Sequence, residues 1–109
     1  MTDLTKAAAD VLAERERQKA VEGWTPEHDD KHGDGELSCA AACYAAGDPD
    51  LVSNGRQIWP WWDSNRTGRG PAWLRAWWKP ADRRRDLVKA GALILAEIER
   101  LDRKGTPGE

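Results

Sequence analysis

Phenylalanine is absent from this 109-residue chain, and tyrosine and methionine occur once each. A core without these fillers must be built from alanine, the branched aliphatics and tryptophan, of which there are seven. Cysteine is almost absent too. Cys39 and Cys43 are too few for a disulfide framework, and a separation of four in an alanine-rich helical stretch suits no bridge, so they read as thiols in a reducing compartment. No apolar run approaches the ~20 residues of a membrane span, and the N-terminus lacks the apolar stretch of a signal peptide. No membrane partner is expected, and the expected location is the cytoplasm. An excess of positive charge is also missing, since the net charge is -2. That excludes a general nucleic-acid binder, and no sequence-specific nucleic-acid partner is expected.

Recognised catalytic signatures are lacking as well. Ser38, Ser53 and Ser64 lie in no nucleophile elbow. Gly68-Arg69-Gly70 neither follows a strand pattern nor ends in lysine and serine or threonine, as a phosphate loop would.

What is present is helical periodicity. The length allows one domain over residues 1–109, with 104–109 expected as a flexible tail. Residues 3–22 hold no glycine or proline and place Leu4, Ala8, Val11 and Leu12 on one side, with Arg15 and Lys19 extending the stripe. Gly23 and Pro26 end that helix, and the polar run from Glu27 to Asp34 reads as a loop. Asp34 caps a second helix over 34–46, whose inward face is Leu37, Ala40, Ala41 and Tyr44. Pro80 opens a third over 80–104. Its Leu87, Gly91, Ile94, Ile98 and Leu101 alternate spacings of four and three, widened by Val88, Leu93 and Leu95, which predicts a central helix. The predicted fold is therefore all-α, with three main helices around a thin core that favours a homo-oligomer.

Six of the seven tryptophans fall within residues 47–79, which read as irregular with one short helix over 71–78. Arg83-Arg84-Arg85 then stands in the first turn of the last helix, where cations add to the positive end of the helix dipole and attract an anion. Indoles stack on bases while guanidinium groups fork onto phosphates. The candidate ligand site is accordingly Arg83, Arg84, Arg85, Trp59, Trp61, Trp62, Trp77, Trp78, Lys79 and Trp24. The plainer alternatives are that Asp82 and Asp86 neutralise the arginines on a solvated face and that about half of the tryptophans pack structurally.

Oxygen and nitrogen donors cluster in Glu27, His28, Asp29, Asp30, His32 and Glu36, enough to hold a divalent cation. An acidic loop that caps helix starts is the competing explanation. A zinc set of His28, His32, Cys39 and Cys43 is outweighed by the packing role expected of cysteines among alanines.

Glu14-Arg15-Glu16-Arg17-Gln18, Gly23-Trp24-Thr25-Pro26-Glu27-His28-Asp29-Asp30 and Arg84-Arg85-Asp86-Leu87-Val88-Lys89-Ala90 together resemble a family of small phage and prophage proteins. More distantly, the order of a Glu-Arg-x-Arg-Gln helix, a polar turn, an acid-capped helix and a long last helix is similar to MazG-like all-α nucleoside triphosphate pyrophosphohydrolases. Those enzymes hold magnesium with an E-E-x-x-E cluster on one helix and E-x-x-D on the next. Here the corresponding helix reads Glu36-Leu37-Ser38-Cys39-Ala40, which keeps one acid, and Asp82 and Asp86 do not have the family's spacing. Magnesium catalysis needs several converging carboxylates.

The resemblance implies a nucleotide pocket that binds without cleaving and requires no cofactor. The expected function is sequestration of a phosphorylated nucleotide, linear or cyclic, such as a host anti-phage defence signal, in the host cytoplasm. Two alternatives stand beside it: a Mg2+-dependent pyrophosphohydrolase or phosphodiesterase using the acidic cluster, and a Trp/Arg-rich module that docks on a host protein.

Overall fold

In the computed structural model the described residues are 3–31, 35–47, 51–53, 58–60 and 78–105. They are predominantly helical: α1 is Lys6–Ala20, α2 Pro26–Asp29, α3 Glu36–Ala46 and α4 Arg83–Lys104, with strands β1 (Leu51–Ser53) and β2 (Ile58–Pro60) between α3 and α4. The strands pair antiparallel, Val52 opposite Trp59. This short ladder lies in the segment expected to be irregular. The expected helix over 71–78 and the expected tail beyond Gly105 fall outside the described residues, apart from Trp78, which is not helical.

Local chemistry sets the helix ends. Thr5 caps α1 through its hydroxyl, which accepts from Ala8 N at 3.1 Å. Thr25 caps α2 in the same way, accepting from His28 N at 3.3 Å with Pro26 as first helical residue. The Thr-Pro pair therefore starts a helix within the stretch expected to be a loop, because a capping hydroxyl followed by a proline needing no amide partner is a helix start as much as a stop. Gly35, not Asp34, occupies the N-cap of α3, at φ 87°, and Gly47 closes that helix at φ 72°. Asp34 lies outside the described residues. The start of α4 falls later than Pro80, because the Asp82 carboxylate accepts from Arg85 N at 2.8 Å and fixes the cap there. Asp86 reaches back to accept from Ala81 N at 2.7 Å.

The core is the contact between α3 and α4. Leu37, Ala40, Ala41 and Tyr44 meet Ala90, Leu93 and Ala96, with Trp24 and Trp78 packed against the cluster. Alanine on both sides lets the two helices approach closely. Both α1 and α2 also rest on α4.

Two helix faces differ from expectation. The buried residues of α1 are Glu14, Arg15 and Gln18, whereas Leu4 and Leu12 are exposed. A polar network attaches α1 to the rest, and of the aliphatic stripe Val11 packs on α4 at Gly91. At its centre Arg15 donates from Nη2 to Asp29 at 2.8 Å, from Nε to Glu99 at 3.1 Å and from Nη1 to the Trp24 carbonyl at 3.1 Å. On α4, Val88, Ala90, Ala92, Leu93 and Ala96 turn inward, while Leu87, Ile94, Ile98 and Leu101 are 44, 48, 49 and 37% exposed. The seam with four-three spacing thus lies about half exposed, because the smaller residues on the opposite side fit the alanines of α3. At Gly91 the seam meets α1: a Cβ there would come within 3.1 and 3.2 Å of the two Val11 methyls.

Candidate functional site

A cleft of about 300 Å³ opens where α1, the turn at Trp24, the end of α3 and the start of α4 converge. This is at the small end of the range for ligand pockets. From α1 it receives Glu14, Arg17 and Gln18; Glu22 and Trp24 follow, Tyr44 comes from α3, and Lys79, Arg85 and Lys89 complete the rim with Ala81. Four cations there face two carboxylates.

The spacings place these groups. Glu14, Arg17 and Gln18 lie three and four apart, and so share one face of α1; Arg85 and Lys89 lie four apart on α4. Glu14 is the hub. Its carboxylate accepts from Arg17 Nε at 2.7 Å and Arg17 Nη2 at 2.9 Å, from Gln18 Nε2 at 3.1 Å, and from Arg85 Nη2. Burial pushes the Glu14 carboxyl up, but the hydrogen bond and charge of Arg17 and the charge of Arg85 outweigh it and hold the group below its ordinary value.

Lys79 Nζ bridges to Glu22 at 3.1 and 3.2 Å, while Lys79 N donates to the Tyr44 hydroxyl at 3.0 Å. Burial raises the Tyr44 pKa, with Asp86, Glu22 and Glu14 adding to the effect, so the ring stays a neutral phenol. Lys89 Nζ donates to the Lys79 carbonyl and stands 5.4 Å from the Tyr44 ring centroid, within cation–π range.

One polar atom in this site has no partner. Gln18 is 1% exposed, and its Oε1 is the single buried side-chain nitrogen or oxygen among the described residues without a hydrogen bond. Leaving a buried acceptor unmatched costs about 1–3 kcal/mol.

The sequence-predicted ligand residues divide. Arg85, Lys79 and Trp24 come together in the cleft. Trp78 borders it by packing on Tyr44, ring centroids 4.7 Å apart. Arg83 donates to the Ala45 carbonyl and Arg84 pairs with Asp10 at 2.9 Å, so neither lines the cleft. Among the first-turn amides of α4, that of Arg85 is taken by the Asp82 carboxylate. The arginines also find partners other than those expected: Asp82 and Asp86 bond backbone amides, and Asp10, Glu14 and the Ala45 carbonyl take the guanidinium groups. Of Trp59 only the backbone is described, and Trp61, Trp62 and Trp77 lie outside the described residues.

The proposed metal ligands are dispersed. Within α2, Glu27 is exposed while Asp29 is fully buried against Arg15. His28 Nδ1 is 3.3 Å from Asp29 and its ring stacks on Trp24. Asp30 pairs with Arg103 at 2.7 Å, and Glu36 is buried at the start of α3. His32 lies outside the described residues. Among the described residues no three His, Cys, Asp or Glu side chains gather as a cation site. Cys39 and Cys43 are buried and unbridged, and the hydrogen bond between them together with burial pushes the Cys39 thiol well above its ordinary value.

Sequence reasoning missed Glu14, Gln18, Arg17, Glu22, Tyr44 and Lys89. The helical spacings of Glu14, Arg17 and Gln18 and of Arg85 and Lys89 were available signals. No protein-family model, curated protein or solved structure matches the chain. Among the described residues no helix is long and apolar enough to cross a membrane.

Proposed function

We propose that this protein binds a phosphorylated nucleotide in the cleft between α1 and α4 and holds it without cleaving it. The observation that carries this reading is the convergence of Arg17, Lys79, Arg85 and Lys89 with the Tyr44 and Trp24 rings around one small cavity. Phosphate oxygens fit the remaining guanidinium and ammonium donors at the rim, and a planar base fits beside the partly exposed Trp24 ring. The resemblance to phage proteins adds a purpose: a small protein in sufficient amount removes a signalling nucleotide by mass action alone.

The chain also pairs with its own copy in this proposal. A helix showing Leu87, Ile94, Ile98 and Leu101 on one exposed seam has the four-three spacing of a coiled-coil contact.

The test is tryptophan fluorescence and thermal stability of the purified protein against a panel of linear and cyclic nucleotides, with magnesium and with chelator, followed by analysis of each nucleotide for cleavage. Saturable quenching with the nucleotide recovered intact is expected. Metal-dependent cleavage would replace this reading with a hydrolase, and no response to any nucleotide would refute it.

A further inference from the structure

We infer that the nucleotide this cleft takes carries a single phosphate, so that a nucleoside monophosphate binds more tightly than its di- or triphosphate. The inference rests on the nucleotide reading above and narrows its ligand class by charge.

The cations of the cleft are not equally free. Arg17 forks onto Glu14 through Nε at 2.7 Å and Nη2 at 2.9 Å, and Arg85 Nη2 donates to the same carboxylate. Lys79 Nζ straddles the two oxygens of Glu22 at 3.1 and 3.2 Å. Lys89 differs: among the described residues its Nζ meets the Lys79 carbonyl and the Tyr44 ring but no carboxylate. All four stay within reach of a ligand, since the side chains of Arg17, Lys79 and Arg85 are 37, 62 and 38% exposed and Lys89 is half-buried.

Four cations and two carboxylates line the cleft, which leaves a net charge of +2. A terminal phosphate carries about −1.5 to −2 near pH 7 and so matches that charge. Each further phosphate brings more negative charge toward Glu14 and Glu22. Those side chains are 0 and 14% exposed, so solvent screens them little. Protonation does not relieve the repulsion either. Against the upward push of burial, the hydrogen bond and charge of Arg17 and the charge of Arg85 keep the Glu14 carboxyl below its ordinary value. Asp86, buried and bonded to Ala81 N at 2.7 Å, adds a further negative charge next to the lining.

The experiment is calorimetric titration of the whole protein, in chelator, with the mono-, di- and triphosphates of adenosine, guanosine, cytidine and uridine. For the base that binds most tightly, affinity is expected to fall from mono- to triphosphate by about tenfold or more. Glu22→Gln removes one carboxylate and frees Lys79, and is expected to narrow that ratio at least about threefold. A triphosphate that binds the unaltered protein as tightly as the monophosphate, in chelator or with magnesium added, would overturn the inference while leaving the nucleotide site standing. An unmoved ratio in folded Glu22→Gln would overturn it in the same way. Binding of no nucleotide to the unaltered protein would refute the nucleotide reading and this inference with it. Should Glu22→Gln fail to fold, the order of affinities in the unaltered protein decides.

Discussion

Replacing Arg15 with alanine is expected to destabilise this protein by several kcal/mol. Arg15 and Asp29 have side-chain exposures of 3 and 0% and meet at 2.8 Å. Removing the guanidinium leaves Asp29 as a buried carboxylate whose other side-chain contact among the described residues is His28 Nδ1, longer at 3.3 Å. Breaking such a buried pair by deleting one partner costs about 3–5 kcal/mol. The Glu99 contact adds little, since that side chain is 44% exposed. A domain of this size has roughly 5–15 kcal/mol in total, and each kcal/mol moves the melting midpoint by about 4–8 °C, so the midpoint should fall by at least about 12 °C. Far-ultraviolet circular dichroism during thermal and urea unfolding measures this. Arg15→Met with Asp29→Leu removes both charges and should recover most of the loss. A decrease below about 1 kcal/mol in Arg15→Ala would refute the view that this polar network fastens α1.

Acid should also loosen the protein. Because the folded pKa of Glu14 lies below its ordinary value of 4.5, its contribution is fully present above that value and is lost as pH falls through the lower folded pKa. Unfolding curves between neutral pH and pH 3 should show this, with a shallower acid limb in Glu14→Gln. Cys39 and Cys43 should resist alkylation in the native state and react on unfolding, since both are buried and the Cys43 hydrogen bond with burial disfavours the Cys39 thiolate; rapid native labelling counted by mass spectrometry would contradict the packing. Ile94→Lys with Ile98→Lys should shift sedimentation toward monomer without unfolding the chain, because both side chains are about half exposed already. An unchanged sedimentation coefficient would remove the seam as an interface.

The three long helices and their approximate placement were readable because glycine, proline and the four-three apolar pattern punctuate the chain. Which face points inward was readable for α3, whose Leu37, Ala40, Ala41 and Tyr44 form the core as expected, but not for α1 and α4. For α4 the large aliphatics suggested the core, yet the alanines of α3 accept only a close neighbour, and Ala90, Ala92 and Ala96 fit where Ile94 and Ile98 do not. For α1 the apolar stripe was weak, and partners distant in sequence decided the outcome: Asp29 and Glu99 draw Arg15 inward, and Arg85 draws Glu14. The same long-range pairing separated Arg85 from Arg83 and Arg84, which are equivalent by sequence. Arg85 reaches the cleft because it stands one turn before Lys89, while Arg84 reaches across to Asp10. The α2 helix went unread because a Thr-Pro pair signals both the end of one element and the start of another.

The central claim is that the cleft, and not the arginine run as such, holds a nucleotide. Titration calorimetry of the tightest nucleotide against Arg83→Gln and Lys89→Gln tests it most directly. Arg83 lies outside the cleft and Lys89 lines it. Losing a charge-assisted contact from the cleft should weaken binding by roughly tenfold or more in Lys89→Gln, and Arg83→Gln should bind like the unaltered protein. Equal weakening in both, or loss confined to Arg83→Gln, would move the ligand to the exposed start of α4 and contradict the account.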